Sequence, residues 1–246
     1  MNELELDKVY RRGEQGPGVR RIQEWLSLGG FAVAVDGDFG AATEAALKRF
    51  QAKAGLSVSG VVDAATFDRL VAPMRTAVAS IPAQGRSLGS LVVAYATQHL
   101  RQQPREMGGE NRGPWVRLYL DGNEGPRWAW CVGFATYCVQ QASRTLGVPM
   151  PVARTYSCDT LASFARERSR FLSTLTSPPD RTLIRPGSLF LRRRTATDWE
   201  HAGIVTEVDE ETFQTIEGNT NDEGRGEGYE VCARTRGFKN MDFVLL

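Results

Sequence analysis

The amino-acid sequence predicts a multi-domain chain, with a small all-α domain of three helices followed by a larger α+β domain with an antiparallel sheet. The length of 246 residues is sufficient for both. Gly-rich turns and amphipathic helices repeat in the first part, whereas the last part changes to short strand-forming runs. Residues 76–87, which consist mostly of small residues with one proline and one glycine, separate the two patterns. We therefore expect domains at 1–75 and 88–246, joined by a linker at 76–87.

The composition is that of an ordinary globular protein. Hydrophobic residues make up 41% and charged residues 24%, and the formal net charge is +1. This balance gives no strong electrostatic field for nucleic acid or acidic lipid, and the apolar runs are too short to span a bilayer. We expect a monomer that neither binds nucleic acid nor inserts into a membrane.

The first domain contains an internal repeat. "VDGDFGAAT" (35–43) aligns with "VSGVVDAAT" (58–66). Each unit contains, in order, an apolar residue, a turn with Gly and a Thr at the start of a predicted helix. An earlier helix, "GVRRIQEWLSLGG", places Val19, Ile22 and Trp25 on one face and ends at two glycines. The pattern predicts three short helices connected by two Gly-rich turns.

These segments resemble the peptidoglycan-binding domain 1 family. The resemblance covers the whole domain through "GPGVRRIQEWL", "VDGDFGAATEAALKRFQAKAGL" and "VSGVVDAATFDRL". It implies a non-catalytic module that holds the bacterial cell wall, with Asp38 and Phe39 of the first repeat as candidate contacts. Taken singly, the Gly, Thr and Gln residues of the repeats are better explained as residues that shape turns and cap helices.

The second domain is predicted to begin with helices and end with strands. The helices are expected within residues 87–103, 113–122, 131–145 and 157–170. The strands are expected at "GSLFLRRR", "HAGIVTEVD", "TFQTIEGNT", "YEVCARTR" and "FVLL". Short connections between the middle three indicate an antiparallel meander.

The four cysteines form neither a CxxC pair nor a Cys/His metal spacing, so we expect free thiols, no metal and no cofactor. Cys138 lies inside a predicted helix and Cys232 inside a predicted strand, which favours core positions for both. Cys158 is a weaker candidate for a reactive thiol, because it also falls near a predicted helix start.

Cys131, in "WAWCVGF", is the strongest candidate for a nucleophile. It falls in the first turns of a predicted helix, where the positive end of the helix dipole favours a thiolate. Trp128 and Trp130 can shield this thiol from bulk water and are candidate substrate contacts.

The general base is expected to be His201, which opens a strand, since His99 falls inside an amphipathic helix. A tight turn between this strand and the next makes opposite residue numbers sum to about 420. Asn219 then lies opposite His201, and Glu217 lies diagonally on the same face. Either side chain can orient the imidazole and favour its protonated form.

The segments "WAWCVGF", "HAGIV" and "IEGNT" resemble the cysteine, histidine and Glu-x-Asn blocks of the CHAP domain family. The resemblance extends over about residues 90–246 and implies a papain-like fold. It also implies Cys131 as nucleophile, His201 as base, Glu217 as orienting acid and Asn219 as an auxiliary polar residue. The implied reaction is hydrolysis of amide bonds in peptidoglycan stem peptides or cross-bridges.

Two positions depart from the family pattern: Glu200 replaces the glycine common before the histidine, and Ser188 replaces an aspartate. Glu200 is expected to alter local charge and pH dependence. The segment "REMGGENRGPW" contributes Glu110 and Asn111, which either line the cleft near substrate amines or form a loop and helix cap. Residues 121–125 lack the length of a calcium loop.

Together the two resemblances imply a cysteine-type peptidoglycan hydrolase, either amidase or endopeptidase. The N-terminus, "MNELELDKVYRRGEQG", lacks the pattern of a secretory signal peptide, so we expect synthesis in the cytoplasm and action on the wall after release. A phage endolysin is the favoured setting. The alternatives are a secreted antibacterial effector with the same chemistry, a hydrolase of ordinary peptides, or a wall-binding protein with an inactive papain-like domain.

Overall fold

The computed structural model describes residues 2–175, 180–221 and 228–246. No helix within these ranges is long and apolar enough to cross a bilayer. The helices are α1 (Pro17–Leu28), α2 (Ala41–Lys53), α3 (Ala64–Leu70), α4 (Ala72–Val78), α5 (Leu88–Leu100), α6 (Pro114–Tyr119), α7 (Cys131–Leu146) and α8 (Cys158–Glu167). The strands are β1 (Phe171–Leu172), β2 (Leu189–Thr195), β3 (Asp198–Val208), β4 (Thr212–Thr220), β5 (Glu230–Gly237) and β6 (Met241–Val244).

The chain folds into two compact units that differ from the expected boundaries. The first unit combines the residues up to Thr76 with Arg105–Gly125, and the second combines Ala77–Pro104 with Pro126–Leu246. Residues 105–125, expected in the second domain, therefore pack within the first unit. Most of the expected linker packs within the second unit, where Gln98 donates hydrogen bonds to the carbonyls of Ala77 and Ala79.

Each repeat of the first unit closes around a buried glutamine. Gln51 accepts a hydrogen bond from the Gly60 N–H at 2.9 Å and donates to the Val61 carbonyl at 2.9 Å and the Thr66 hydroxyl at 3.2 Å. Gln23 forms the same three kinds of hydrogen bond in the other repeat, with Gly37, Asp38 and Thr43. The repeated Gly and Thr positions are therefore the binding partners of one buried side chain per repeat.

Arg117 explains why residues 105–125 belong to the first unit. Its guanidinium binds Glu3 at 2.7 Å, Glu24 at 2.6 Å and Glu124 at 2.8 Å. Glu24 is fully buried on α1. Burial raises the pKa of its carboxyl group, and the nearby Arg117 guanidinium opposes this rise. A buried carboxylate needs such a partner, and the chain supplies it from a distant segment.

The second unit contains a six-stranded antiparallel sheet in the order β1-β6-β2-β3-β4-β5. Helix α7 packs against β3 and β4, α5 packs against α7, and α8 packs against β3. A separate apolar cluster lies on strands of the sheet and includes Phe190, Phe213 and Phe243. The helical first unit and this α+β second unit agree with the predicted fold class.

The strand register explains how the site residues meet. Ile204 pairs with Ile216 and Val205 with Thr215, and both pairs sum to 420 as expected from the sequence. Three elements among the described residues were not predicted: the two-residue strand β1, too short for a periodic signal, helix α4, whose composition resembles a linker, and a single turn of 3-10 helix at Arg181–Leu183.

The buried glutamines lead to a stability prediction. Gln51→Met keeps the side-chain volume but leaves the Gly60 N–H without its acceptor, so we expect the free energy of unfolding to fall by about 1 to 3 kcal/mol. The control is Gln15→Met, because Gln15 is exposed and is expected to change stability by less than about 0.5 kcal/mol. Denaturant unfolding of the full chain measures both. Equal stability of the two variants would contradict a structural role for Gln51.

Candidate active site

Cys131 is the first residue of α7. The preceding Trp130 provides no side-chain cap, so the first turn of the helix directs unpaired N–H groups and its positive dipole towards this position. Only 3% of Cys131 is exposed, and the Ala202 backbone N–H on β3 donates to its sulfur. The helix and the neighbouring strand therefore both favour a negatively charged sulfur here.

His201 lies on β3, fully buried, and its backbone position pairs with Arg192 on β2. Its Nε2 hydrogen-bonds the Glu217 Oε2 on β4 at 2.8 Å. Its Nδ1 is buried and has no oxygen or nitrogen partner among the described residues. The imidazole also interacts with the Cys131 thiol. Since Nε2 is occupied by the carboxylate, Nδ1 is the nitrogen that remains for proton exchange with sulfur.

Glu217 is held from three sides. Besides the imidazole, its carboxylate accepts from the Thr215 hydroxyl on the same strand and from two nitrogens of Arg236 on β5. Burial opposes ionisation, but Arg236 and His201 lower the pKa of Glu217 to about 2. The carboxylate is therefore charged over the whole physiological range and cannot itself act as a proton acceptor there.

Two glycines make room for this arrangement. A Cβ on Gly203 would lie 2.7 Å from the Cγ of Glu217, and a Cβ on Gly218 would lie 2.8 Å from Trp130 and from Phe134 of α7. Such contacts are closer than packed atoms tolerate. The glycines of "HAGIV" and "IEGNT" thus allow the carboxylate and the nucleophile helix to approach the sheet.

The thiol and the imidazole favour each other's charged forms. Burial opposes protonation of His201, but its hydrogen bonds to Cys131 and Glu217 raise its pKa to about 9. A hydrogen bond from Cys158, opposed by burial and supported by His201, lowers the pKa of Cys131 well below its usual range. The geometry therefore supports a thiolate–imidazolium pair near neutral pH.

Arg236 is a site residue that was not predicted from the sequence, and Cys158 is one that was ranked below Cys131. Cys158 is the first residue of α8, and its hydrogen bond to Cys131, together with burial, raises its pKa. Its place near a helix start was the only available signal. Arg236 was assigned to a strand without a partner, because the contact with Glu217 depends on the β4–β5 register.

Asn219 does not bind the imidazole. It is 99% buried at φ 53°, in the left-handed region, and its Oδ1 has no hydrogen-bond partner among the described residues. Of the two side chains that the hairpin register allowed, Glu217 is the one that contacts His201. Asn219 is an unpaired acceptor near the same end of β4.

Trp128 and Trp130 have different environments. Trp128 is partly exposed and its ring packs edge-on against Tyr156 at 6.1 Å. Trp130 is fully buried and its ring lies next to Gly218. The expectation that Trp130 contacts substrate is therefore corrected: its indole packs α7 against β4.

The candidates outside the second unit also differ in exposure. Asp38 and Glu110 are exposed, and Asp38 lies at the edge of a cleft of about 820 Å³ in the first unit. Phe39 is fully buried, so its side chain is part of the core rather than a wall contact. Asn111 is 6% exposed and its N–H donates to Glu106 within a loop, which matches the structural alternative.

The remaining titratable candidates have structural surroundings. Burial raises the pKa of Cys138 and lowers that of His99 to about 4, and His99 hydrogen-bonds Gln141 at 2.9 Å. Glu200 forms an ion pair with Arg192 at 2.9 Å. Among the described residues, no group of three His, Cys, Asp or Glu side chains could hold a metal ion.

Comparison with protein families identifies both modules. Residues 15–70 match the model described as a putative peptidoglycan binding domain, and residues 121–219 match the CHAP domain. The chain therefore combines a peptidoglycan-binding domain with a CHAP domain in that order.

Comparison with individual proteins gives shorter matches. The chain is 38% identical over 63 residues to a zinc D-Ala-D-Ala carboxypeptidase of Streptomyces albus G, which is 24% of each protein. It thus spans about a quarter of the length of that curated relative. A solved structure titled SleB N-terminal domain is 41% identical over 27% of this chain and 93% of its own, with a TM-score of 0.27. A peptidoglycan-binding protein from Clostridioides difficile, in complex with glutamine hydroxamate, is 43% identical over 26% of this chain and 40% of its own, with a TM-score of 0.25.

The contact between Arg236 and Glu217 predicts a pH-dependent loss of stability. Arg236→Gln removes one partner of a buried ion pair, so we expect unfolding to become easier by about 3 kcal/mol at neutral pH. Glu217 has a lowered pKa in the folded state. The contribution of the ion pair to the free energy of unfolding is therefore fully present above about pH 4.5 and is lost as the pH falls towards 2. The difference in the free energy of unfolding between wild type and Arg236→Gln should therefore become smaller at acidic pH.

Arg194→Gln is the matched control, because Arg194 forms an exposed ion pair with Asp198 at 2.6 Å. Such pairs contribute less than about 1 kcal/mol. Urea unfolding at several pH values compares the variants. Similar losses in both, or a difference for Arg236→Gln that does not change with pH, would contradict the role assigned to Arg236.

Proposed function

We propose that this protein is a cysteine-type peptidoglycan hydrolase that cleaves an amide bond of the stem peptide or cross-bridge. The observation that carries the proposal is the buried series Cys131, His201 and Glu217, in which each group stabilises the reactive form of the next. The presence of a peptidoglycan-binding domain in the same chain supports peptidoglycan as the substrate. An ordinary peptidase would have no use for that domain.

The first half of the reaction forms an acyl-enzyme. The Cys131 thiolate adds to the carbonyl carbon of the scissile amide, and the negative charge moves to the carbonyl oxygen. The backbone N–H of Cys131, at the start of α7, is a candidate donor to that oxygen. His201 then donates its Nδ1 proton to the leaving amine, which departs as the C–N bond breaks.

The second half regenerates the thiolate. Neutral His201 accepts a proton from water at Nδ1, and the resulting hydroxide attacks the thioester carbonyl. The carboxylic acid product leaves, and the imidazolium again faces the thiolate. Throughout, the charged Glu217 holds Nε2 and stabilises the imidazolium. Asn219 Oδ1, an unpaired acceptor, is available for a substrate N–H.

The binding domain is proposed to hold the enzyme on the wall. The match of residues 15–70 to a peptidoglycan-binding domain supports a role in raising the local concentration of substrate. Asp38, exposed at the edge of the first-unit cleft, remains a candidate wall contact. We propose that the protein acts on the wall after release from the cell that makes it, with a phage endolysin favoured over a secreted effector.

The first functional prediction concerns Cys131. Cys131→Ala should abolish lysis of purified sacculi while retaining sedimentation with them, because the change removes the nucleophile and leaves the binding domain intact. Cys232→Ala, on the half-buried β5 position, is the control and should retain lysis. Mass spectrometry of wild-type digests identifies the new ends, and thus the cleaved bond. Undiminished lysis by Cys131→Ala would exclude the proposed chemistry.

The second prediction concerns the alkaline limb of the pH–rate profile. Activity should decline as pH rises through about 9, because His201 then loses the proton that it donates to the leaving amine. Glu217→Gln removes the charge that stabilises the imidazolium, so this limb should move to lower pH by about 1 unit or more. Glu200→Gln, next to His201, should leave the limb in place because the Glu200 carboxylate is paired with Arg192, which replaces the expectation from the sequence that Glu200 alters the pH dependence. Equal profiles for both variants would argue against Glu217 as the orienting acid.

A further inference from the structure

Cys131 and Cys158 lie where two helices begin. Cys131 opens α7 and Cys158 opens α8, and the two thiols are joined by a hydrogen bond. The proposed hydrolysis needs only one of them. A second thiol in contact with the nucleophile, on a separate helix, is a feature that the reaction leaves unexplained.

Hydrogen bonds on both sides of Cys158 fix it next to the nucleophile. On the N-terminal side, Arg154 donates to the Gly133 carbonyl of α7 at 2.6 Å, and Thr136 donates to the Thr155 carbonyl at 3.3 Å. On the other side, Asp159 accepts from the backbone N–H of Trp199, on the strand that carries His201, at 3.0 Å. The start of α8 is thus attached to both elements that carry the dyad.

We propose that Cys131 and Cys158 are a modification site, in which a hydroperoxide oxidises the nucleophile and Cys158 then closes a reversible disulfide that switches the enzyme off. The inference rests on the proposed function, because it takes Cys131 as the catalytic thiol. It concerns a regulatory reaction of that thiol rather than the hydrolysis itself.

The chemistry proceeds in two balanced steps. The Cys131 thiolate attacks one oxygen of the peroxide, the O–O bond breaks, and hydroxide or alkoxide leaves, so that sulfur becomes a sulfenic acid and the peroxide takes up two electrons. The sulfur of Cys158 then attacks the sulfenic sulfur. The S–O bond breaks, the S–S bond forms, and the departing hydroxide combines with the Cys158 proton as water.

The reaction specifies the class of oxidant. A hydroperoxide has a weak O–O bond that takes up two electrons from a thiolate and leaves the sulfenic acid that Cys158 can resolve, whereas a disulfide oxidant would leave a mixed disulfide instead. Helix α7 and the imidazolium keep Cys131 as a thiolate, the form that reacts with peroxide. Cys158 remains protonated, so it acts second, as the resolving thiol.

The arrangement also protects the nucleophile. A sulfenic acid without a neighbouring thiol reacts with further peroxide to the sulfinic acid, which thiol reductants do not reverse. Cys138 and Cys232 are also free cysteines, but Cys138 lies about 10 Å further along α7, and Cys232 lies on the edge strand β5, whereas α7 packs against β3 and β4. Cys158 is therefore the thiol positioned to intercept the oxidised sulfur.

The test uses the full chain, reduced and then treated with hydrogen peroxide. Peptide mapping should find a disulfide between the peptides of Cys131 and Cys158, lysis should fall to the level of Cys131→Ala, and dithiothreitol should restore it. Cys158→Ser should form no such disulfide, and its loss of lysis should persist after dithiothreitol, measured against its own untreated activity. Cys232→Ser is the matched control and should behave as wild type.

The absence of the Cys131–Cys158 disulfide from oxidised wild type, or equal recovery of lysis by Cys158→Ser, would overturn the inference. Because peptide mapping does not depend on lysis, it is independent of the proposed function. That function fails separately if reduced Cys131→Ala lyses sacculi as wild type does.

Discussion

A single buried carboxylate, Glu217, stabilises the charges on which the site depends. Its two oxygens contact Arg236 and His201, so one negative charge lies between two cations, and the imidazolium in turn faces the Cys131 thiolate. Charges of alternating sign therefore run from β5 through β4 and β3 to the start of α7. Burying an isolated charge costs free energy. A series of alternating charges offsets part of that cost, because each buried charge contacts one of opposite sign.

The sheet supplies the rigidity that such a series requires. His201 and Glu217 belong to neighbouring interior strands, and their spacing is fixed by the backbone ladder of β3 and β4. Gly203 and Gly218 remove side-chain volume where the carboxylate and α7 come closest. A reactive pair placed on regular strands and a helix start can keep its geometry without a mobile loop to hold it.

The parts of this structure that the sequence predicts are those with a local signal. The repeats, the α7 and α8 starts and the β3–β4 register all follow from short segments, so Cys131, His201 and Glu217 could be brought together in advance. Arg236 and Cys158 meet the site only through tertiary packing: a helix start marks Cys158, but no local pattern marks its contact with Cys131 or that of Arg236 with Glu217. Phe39 and Trp130 were assigned to ligand contact from their motif positions, but those positions are buried core. Motifs identify a position as special without stating whether its side chain faces a ligand or the interior.

The path of the chain has a consequence for how these modules can be exchanged. Residues 105–125 leave the second unit, pack within the first, and return, and their Arg117 neutralises Glu24 on α1. A division of the chain at residues 76–87 would separate Arg117 from the carboxylate of Glu24, which is fully buried. Recombination of the two modules by a single crossover, in evolution or in the laboratory, therefore requires α1 and the α6 segment to be inherited together.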